Sequence, residues 1–334
     1  MAKKLSMTEV AKLSGVSIAT ISRVINGSGG YSAKTEEKVR RIIQETGFVA
    51  NSNAKSLRTN LSQTVGVIVP DLTNDFFSRV VRELVNSFFQ KNYSVFVCDT
   101  NEDEQREDQL VQNFISRKVD GIIYISGQSD VSKLETEYDI PVLYMDRSPR
   151  NASNLVHSDN HQGGYMAGQH LLAAGCRYPI MIRDARRIST VDQRYYGFIK
   201  ALSDAGLEPA EKIFVETAVS YESAYDAIPK VLKMFPQVDG IFCSNDVMAL
   251  GALHGLQDAD IQVPEQIQLI GFDGNTLTKY SRPQITTIAQ DYEQMGKAAC
   301  RQMLDLISNE HDFLQTVVIP VKLVEGSTTR RVAP

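Results

Sequence analysis

The feature that most constrains the fold is an alternation of short apolar runs with amphipathic stretches, which begins at residue 65. Nine runs have the length and composition of buried strands: Val65–Val69, Val95–Cys98, Gly121–Ile125, Val142–Met145, Pro179–Ile182, Ile213–Val215, Gly240–Cys243, Ile267–Ile270 and Ile285–Ile288. The stretches between them with helical periodicity are 75–90, 104–117, 163–174, 190–205, 222–234, 246–258 and 292–308. Many runs are continuously apolar, which is typical of parallel strands covered on both faces. The pattern therefore predicts a doubly wound α/β fold.

The number of predicted strands is too large for one sheet, so we expect two Rossmann-like lobes in a body spanning residues 65–330. We predict that the chain crosses between the lobes near residues 160, 290 and 320. The N-lobe would then comprise about 65–160 and 291–320, and the C-lobe about 161–290.

The N-terminal stretch contains three helix-start signals. Ser6 and Glu9 form the S-x-x-E pattern of a capping box, Ser17 can cap a second helix, and Ser32 can cap a third. Glycines at 15 and 47 follow the first and third helices and favour the turns that end them.

The apolar spacing within these helices predicts one small core. In the first helix Val10, Ala11 and Leu13 form the apolar face, and in the second Ile21, Val24 and Ile25 point inward. Two short helices, a tight glycine turn and a third supporting helix predict an all-α helix-turn-helix domain over residues 1–50.

The outer face of the second helix carries short or hydrogen-bonding side chains, which suits a helix lying in a groove of DNA. We expect Ile18, Ala19 and Arg23 to face base edges. Polar side chains that would instead fix phosphates are Thr20, Ser22, Asn26, Ser32 and Thr35, and Ser17 is also expected to contact DNA. A helical subdomain with no role in nucleic-acid binding is the alternative reading of the same pattern.

Charge is distributed unevenly along the chain. Residues 1–60 hold ten Lys/Arg and four Asp/Glu, a balance of +6, whereas the remainder has a balance of −11. A basic head on an acidic body indicates that a polyanion would bind at the head.

Several N-terminal motifs together resemble a known family. Val10-Ala11-x-x-x-Gly15-Val16-Ser17 is followed by Thr20-Ile21-Ser22-Arg23-Val24-Ile25-Asn26-Gly27, by Ser32-Ala33-Lys34-Thr35 and by Asn51-x-x-Ala54-x-Ser56-Leu57-Arg58. This order resembles the signature of the LacI/GalR family of bacterial transcription regulators, and the order of motifs downstream extends the resemblance over the whole chain. Within the family, the chain is similar to ribose and sucrose operon repressors. The resemblance implies a homodimeric, cytoplasmic regulator that binds operator double-stranded DNA and a small sugar effector.

The resemblance also implies a hinge over residues 51–64, whose short helix would contact DNA through Asn51, Ala54 and Leu57. Two turns of helix are marginally stable in water, so DNA contact would have to stabilise them. Leu57 is expected to insert into the minor groove and open a base step. The two-lobed body is expected to have the fold of periplasmic sugar-binding proteins.

Polar residues follow nearly every predicted strand, where ligands bind in folds of this kind. A set among them is similar to the pentose-contacting residues of ribose-binding proteins: Asn74, Phe76, Phe77, Asp146, Arg147, Arg194, Tyr221, Asn245, Asp273 and Gln290. This similarity favours ribose as the effector. Fructose, sucrose and a sugar phosphate remain alternative effectors for two reasons. Asp75 stands where the family usually has Pro, and the segment 176–182 looks closer to sucrose- and ribose-operon repressors than to the commonest family pattern.

The sequence contains no pattern of a common catalytic site, such as a Walker loop, H-E-x-x-H or G-x-S-x-G. The four cysteines are scattered and the five histidines lack metal-ligand spacing, so we predict neither a disulfide, a metal site nor a cofactor. There is no apolar signal core and no long apolar run, so we expect neither export nor membrane insertion. A sugar-binding protein or sugar enzyme without a regulatory role is the alternative class.

Overall fold

The computed structural model describes residues 5–48, 61–125, 140–147, 154–186, 188–207, 213–308 and 315–332. The chain divides into two compact units: the head, residues 1–62, and the body, residues 63–334. The predicted hinge contacts Asn51, Ala54 and Leu57 lie outside the described residues.

The described part of the head contains helices α1 (Met7–Ser14), α2 (Ile18–Asn26) and α3 (Ala33–Thr46). Each begins at the predicted serine cap, and the Ser6–Glu9 capping box is formed. Gly15, Gly27 and Gly47 end the three helices in the left-handed conformation, which glycine adopts without steric cost.

The core of the head consists of side chains from all three helices: Val10, Ala11, Ile21, Val24 and Val39. The prediction for Leu13 was wrong, because 56% of its surface is exposed. Val10 and Ala11 face the core of the head, and the helical repeat then turns Leu13 away from that core.

The body begins with β1 (Thr64–Val69), α4 (Asp75–Phe89), β2 (Ser94–Asp99), α5 (Glu104–Ser116), β3 (Gly121–Tyr124), β4 (Val142–Met145), β5 (Leu155–Ser158), α6 (Asn160–Ala173), β6 (Pro179–Asp184) and α7 (Ser189–Asp204). It continues with β7 (Phe214–Thr217), α8 (Tyr221–Met234), β8 (Gly240–Cys243), α9 (Asp246–Asp258), β9 (Gln268–Asp273), α10 (Leu277–Tyr280), β10 (Thr286–Ala289), α11 (Tyr292–Ser308), β11 (Thr316–Ile319) and β12 (Lys322–Val324). Every predicted strand and helix of the body overlaps one of these elements, which confirms the predicted fold class.

The strands of the described body form two sheets, with the orders β11-β5-β4-β3-β1-β2 and β12-β10-β9-β8-β6-β7. Pairing is parallel except between β10 and β12. We define the N-lobe by the first sheet with α4, α5 and α11, and the C-lobe by the second sheet with α6 to α10. The chain passes between the two sheets after β5, after β10 and between β11 and β12.

Each lobe has its own apolar core. The C-lobe core contains fully buried side chains from α6, α7, α8 and α9 against β6, β8 and β9. In the N-lobe, α4 and α11 pack on one face of the sheet, and α5 packs on the other with Phe114 and Val111. Among the described residues, no helix is both long enough and apolar enough to cross a membrane.

Candidate functional site

The first candidate site is the outer surface of α2 in the head. Ile18, Ala19, Arg23 and Asn26 are exposed on this surface, and 47% of Ile18 is accessible. Thr20 and Ser22 are half-buried beside them. An exposed surface with one large apolar side chain, one arginine and otherwise short groups can approach a DNA groove closely.

Several of the predicted DNA-contacting residues also hold the helix ends. The Ser17 hydroxyl accepts a hydrogen bond from Thr20 N at 3.1 Å, and Ser32 accepts one from Thr35 N at 3.2 Å. Asn26 Nδ2 donates to the carbonyl oxygen of Ser22 at 2.8 Å. The capped N-terminus of α2 leaves backbone N–H groups and a partial positive charge at the end where a phosphate can bind.

The second candidate site is the cleft, a space of about 430 Å³ including its open side, to which both lobes contribute. Eight of the ten predicted effector-binding residues line it: Asn74, Phe76, Phe77, Asp146, Arg147, Arg194, Asn245 and Asp273. Lining residues that the sequence did not single out are Asp184, Ile188, Thr190, Val191, Val219 and Ser244.

The other two predicted residues are not among these lining residues. The Tyr221 hydroxyl pairs with His254 Nδ1 at 2.8 Å, where α8 packs against α9. Gln290 is buried behind the cleft and donates from Nε2 to Asp273 Oδ1 at 2.8 Å, so it orients a lining carboxylate.

Arg194 is the centre of the C-lobe surface of the cleft. Its Nε donates to Asn160 Oδ1 at 2.8 Å, and its Nη1 donates to the carbonyl oxygen of Ser244 at 2.5 Å. Its Nη2 lies 3.6 Å from Asp273 Oδ1, and its guanidinium stacks 3.7 Å from the centre of the Phe272 ring. Only 6% of the residue is exposed, so one planar cation is fixed by four different partners.

Close helix packing brings Arg194 to this position. A Cβ atom at Gly164 would lie 1.9 Å from the carbonyl oxygen of Arg194, and one at Gly197 would lie 1.9 Å from that of His161. Helices α6 and α7 therefore touch backbone to backbone. The same contact brings Asn160, the first residue of α6, beside the arginine.

Two cleft carboxylates have unusual backbone conformations. Asp146 has a φ of 64° and Asp273 a φ of 108°, in the region that L-residues other than glycine rarely adopt. Strained positions of this kind persist where the surrounding structure holds a side chain in a functional direction.

Burial raises the pKa of both carboxyls. The pKa of Asp273 rises to about 7, because burial outweighs the attraction of Arg194 and the hydrogen bond from Gln290. The pKa of Asp146 is also raised by burial, against the attraction of Arg194 and Arg147. Asp246 behind them is fully buried and has a raised pKa for the same reason, with Asp273 adding repulsion.

The N-lobe surface of the cleft contributes two aromatic rings beside its polar residues. Phe76 and Phe77 lie in the first turn of α4 with an edge-to-face contact at 5.1 Å, and Asn74 caps that turn through a 3.0 Å hydrogen bond to Phe76 N. The Arg147 guanidinium lies 5.2 Å from the centre of the Phe77 ring. Two rings beside hydrogen-bonding groups can cover the C–H face of a ligand while the polar groups bind its hydroxyls.

The missed lining residues had a weak signal in the sequence. The predicted strand ended at Ile182, whereas β6 continues to Asp184, so Asp184 itself is a polar residue at a strand end. Ile188 and Val191 are apolar and resemble core residues in any sequence pattern.

Known protein families match both the head and the body of this chain. The profile for bacterial regulatory proteins of the lacI family matches residues 6–51, and that for the periplasmic binding protein-like domain matches residues 169–329. The chain is 32% identical to the sucrose operon repressor of Pediococcus pentosaceus, over 97% of this chain and 99% of that protein. It is 30% identical to the ribose operon repressor of Halalkalibacterium halodurans, over 97% of each.

Solved structures are similar as well. A LacI family transcriptional regulator from Enterococcus faecalis V583 with bound ribose matches with 30% identity and a TM-score of 0.70, over 80% of this chain and 98% of that one. The Lac repressor bound to ONPG in its repressed state matches with 25% identity and a TM-score of 0.86, over 98% and 100% of the two chains.

A helix-turn-helix head followed by a two-lobed binding-protein body defines the class of DNA-binding transcriptional regulators. The chain belongs to the lacI family of bacterial regulatory proteins.

Proposed function

We propose that this protein is a repressor of a sugar-utilisation operon, whose operator binding is controlled by a small uncharged sugar, with ribose as the favoured effector. The proposed organisation is a head over residues 1–50, a hinge over 51–64 and a two-lobed body over 65–330. We propose that it acts in the cytoplasm as a homodimer.

One observation carries the proposal for the cleft. Asp146 Oδ1 is buried and has no hydrogen-bond partner among the described residues, although the residue lines the cleft. A buried acceptor without a partner is costly, and a ligand hydroxyl would satisfy it. Arg147 beside it and Arg194 opposite it can donate to the other oxygens of a polyol.

The charge of the cleft favours a neutral ligand. The lining contains three carboxylates, Asp146, Asp184 and Asp273, against two guanidinium groups, Arg147 and Arg194. Arg194 and Arg147 already lie beside Asp273 and Glu102, so neither cation is free to neutralise a sugar phosphate in this buried site. We therefore favour a neutral sugar over a sugar phosphate.

Ribose is favoured over fructose and sucrose by the predicted contact set and by the ribose-bound relative of 30% identity. Sucrose is the main alternative, since another relative is a sucrose operon repressor. The two sugars differ in size, which makes them easy to compare in a binding experiment.

For DNA we propose that Ile18, Ala19 and Arg23 read base edges, while Ser17, Thr20, Ser22, Asn26, Ser32 and Thr35 hold phosphates. Arg23 would contribute about 1–3 kcal/mol of discrimination at one base pair if it binds guanine with two hydrogen bonds. The hinge residues Asn51, Ala54 and Leu57 would enter the minor groove, and sugar-induced lobe movement would change whether the hinge stays ordered.

The experiment starts with the full chain and a randomised duplex library, from which a preferred duplex is selected at fixed salt. Its affinity is then measured by mobility shift with and without D-ribose, and the same is done for an unrelated duplex. We expect ribose to change affinity for the selected duplex about tenfold or more and to leave the unrelated duplex unchanged. Equal affinity for both duplexes, with or without sugar, would refute the proposal.

The alternative is a sugar-binding protein or enzyme without a regulatory role. Such a protein would bind or convert ribose but would select no duplex from the library. The same material therefore separates the two functions.

A further inference from the structure

An ionic chain of four residues connects the two lobes at one side of the cleft. Arg186 in the C-lobe donates from Nη2 to Asp184 Oδ2 at 2.7 Å and from Nε to Asp184 Oδ1 at 3.0 Å, and its Nη1 donates to Glu102 Oε2 of the N-lobe. Glu102 Oε1 in turn lies 3.5 Å from Arg147 Nη1. Asp184 and Arg147 line the cleft, so this chain, which we call the latch, runs from one lining surface to the other.

The loop that carries Glu102 is held by its own hydrogen bonds. The Glu102 backbone N–H donates to the carbonyl oxygen of Pro70 at 3.0 Å, and Leu72 N donates to Asp99 Oδ2 at 2.8 Å. Asn101 and Glu102 both have left-handed φ values, 52° and 57°. A strained but well-anchored turn is typical of a residue held in one direction, here toward the opposite lobe.

A second set of contacts connects the two lobes near the crossing after β10. The Tyr292 hydroxyl donates to the carbonyl oxygen of Asp273 at 2.8 Å, and Arg79 Nη1 donates to that of Gly274 at 2.9 Å. The Arg79 guanidinium also stacks 3.9 Å from the centre of the Tyr292 ring. These contacts join N-lobe helices to the end of β9, so the two lobes are connected both here and at the latch.

We propose that the latch closes over the bound ligand and limits the effector to a single sugar ring. A ring that fits between the two sets of contacts allows Glu102 to reach Arg186, and the ion pair then adds to the stability of the closed, liganded form. A disaccharide would extend past the cleft and separate the two side chains. This inference rests on the proposed function of the cleft as a sugar site.

Glu102 is the residue of the latch that can be changed with least effect on folding. About one third of its side chain is exposed, and removing its charge leaves Arg186 bound to Asp184, whose side chain is 2% exposed. Removing Arg186 would instead leave Asp184 buried without its partner, which is strongly destabilising. Glu102→Gln is therefore the test variant. The control is Asp108→Asn, which removes one negative charge from the exposed surface of α5, in the same lobe but away from the latch.

The experiment is calorimetric titration of the full chain and both variants with D-ribose and with sucrose, at two salt concentrations. We expect Glu102→Gln to weaken ribose binding about fivefold, as for a partly exposed ion pair, and to leave any sucrose affinity unchanged. Raising the salt should weaken ribose binding to the wild type more than to Glu102→Gln, because the ion pair is screened. Asp108→Asn should behave like the wild type.

Other outcomes overturn the inference in distinguishable ways. If the wild type binds ribose and Glu102→Gln binds it equally, or loses both sugars equally, the latch has no selective role and the sugar site remains. If the wild type binds sucrose as tightly as ribose, the size limit is wrong. If the wild type binds neither sugar, the proposed effector class fails, and the latch proposal fails with it.

Discussion

The two surfaces of the cleft are built in different ways. Besides Asp146 and Arg147, the N-lobe contributes the rings of Phe76 and Phe77, which are positioned by packing and by the capped first turn of α4. The C-lobe contributes Arg194 and Asp273, which are buried and are positioned by hydrogen bonds and charge. A packed ring can be replaced by another apolar group of similar size, whereas a buried ion leaves its partners unsatisfied when it is removed. Substitutions in the C-lobe should therefore have the larger effects.

The strongest test of this difference is Arg194→Ala. We expect effector affinity to fall at least about 100-fold and the free energy of unfolding to fall by about 3 kcal/mol, because Asn160, Ser244 and Asp273 each lose a partner. The head is a separate compact unit, so affinity for the selected duplex should persist. Arg177→Ala, which removes an exposed arginine of the same lobe, is the control. A variant that still responds to the effector would contradict the role assigned to Arg194.

Asp273→Asn tests the charge of the C-lobe surface through pH. The folded-state pKa of Asp273 is about 7, above the ordinary value of 3.8, so the folded protein keeps a proton that the unfolded chain releases. Stability from this group is present below about pH 4 and is lost as the pH rises to 7. The free energy of unfolding of the wild type should therefore decline over this window, by up to about 1.4 kcal/mol per pH unit from this group.

Asp273→Asn should reduce that decline, because its amide does not titrate. The measurement is chemical denaturation of wild type and variant at several pH values between 4 and 8. Parallel stability curves for the two proteins would show that Asp273 does not have a raised pKa.

Asn160→Ala tests whether Arg194 needs its hydrogen bond to Asn160 in order to bind the effector. Asn160 Nδ2 donates to the carbonyl oxygen of Ser158 at 2.9 Å, so this residue connects Arg194 to the end of β5 in the other lobe. We expect a loss of about 1–2 kcal/mol in effector binding, smaller than for Arg194→Ala, because the arginine keeps its other partners. Titration calorimetry of the variant measures this change in effector affinity. An Asn160→Ala effect equal to that of Arg194→Ala would mean that the two residues act as one unit.

Phe77→Leu tests the N-lobe surface. The leucine keeps an apolar side chain in this buried position but removes the ring face, so we expect effector binding to weaken by about 1 kcal/mol with little change in the pH profile of stability. Thermal unfolding and effector titration of the variant provide both measurements. A loss as large as that of Arg194→Ala would remove the contrast between the two surfaces.

The fold was largely predictable because its signals are local. Continuous apolar runs indicated the central strands, and serine caps with glycine stops indicated the head helices. The short strand β5 was missed because its residues alternate between half-buried and buried, and edge strands β11 and β12 because several of their side chains are exposed. These segments have too little apolar sequence to stand out from loops.

The cleft was less predictable because its geometry depends on contacts distant in sequence. The rule that polar residues follow strands found Asp146 and Asp273, but no local pattern indicates that Glu102 meets Arg186, 84 residues away. Tyr221 is the opposite case. Its position in the sequence predicted a contact with the effector, but in the structure its hydroxyl pairs with His254. Polar residues at strand ends are visible in a sequence, whereas their partners are fixed only by tertiary structure.

The contact between Gly164 and the Arg194 backbone has a consequence for how this protein could change its ligand over time. Any larger residue at position 164 would clash with the Arg194 backbone and push the arginine away from Asn160, whatever sugar is sensed. Ile188 and Val191, on the other hand, line the same space without holding the arginine through any hydrogen bond that we observe. New preferences should therefore arise by exchange of such apolar neighbours around an unchanging cation.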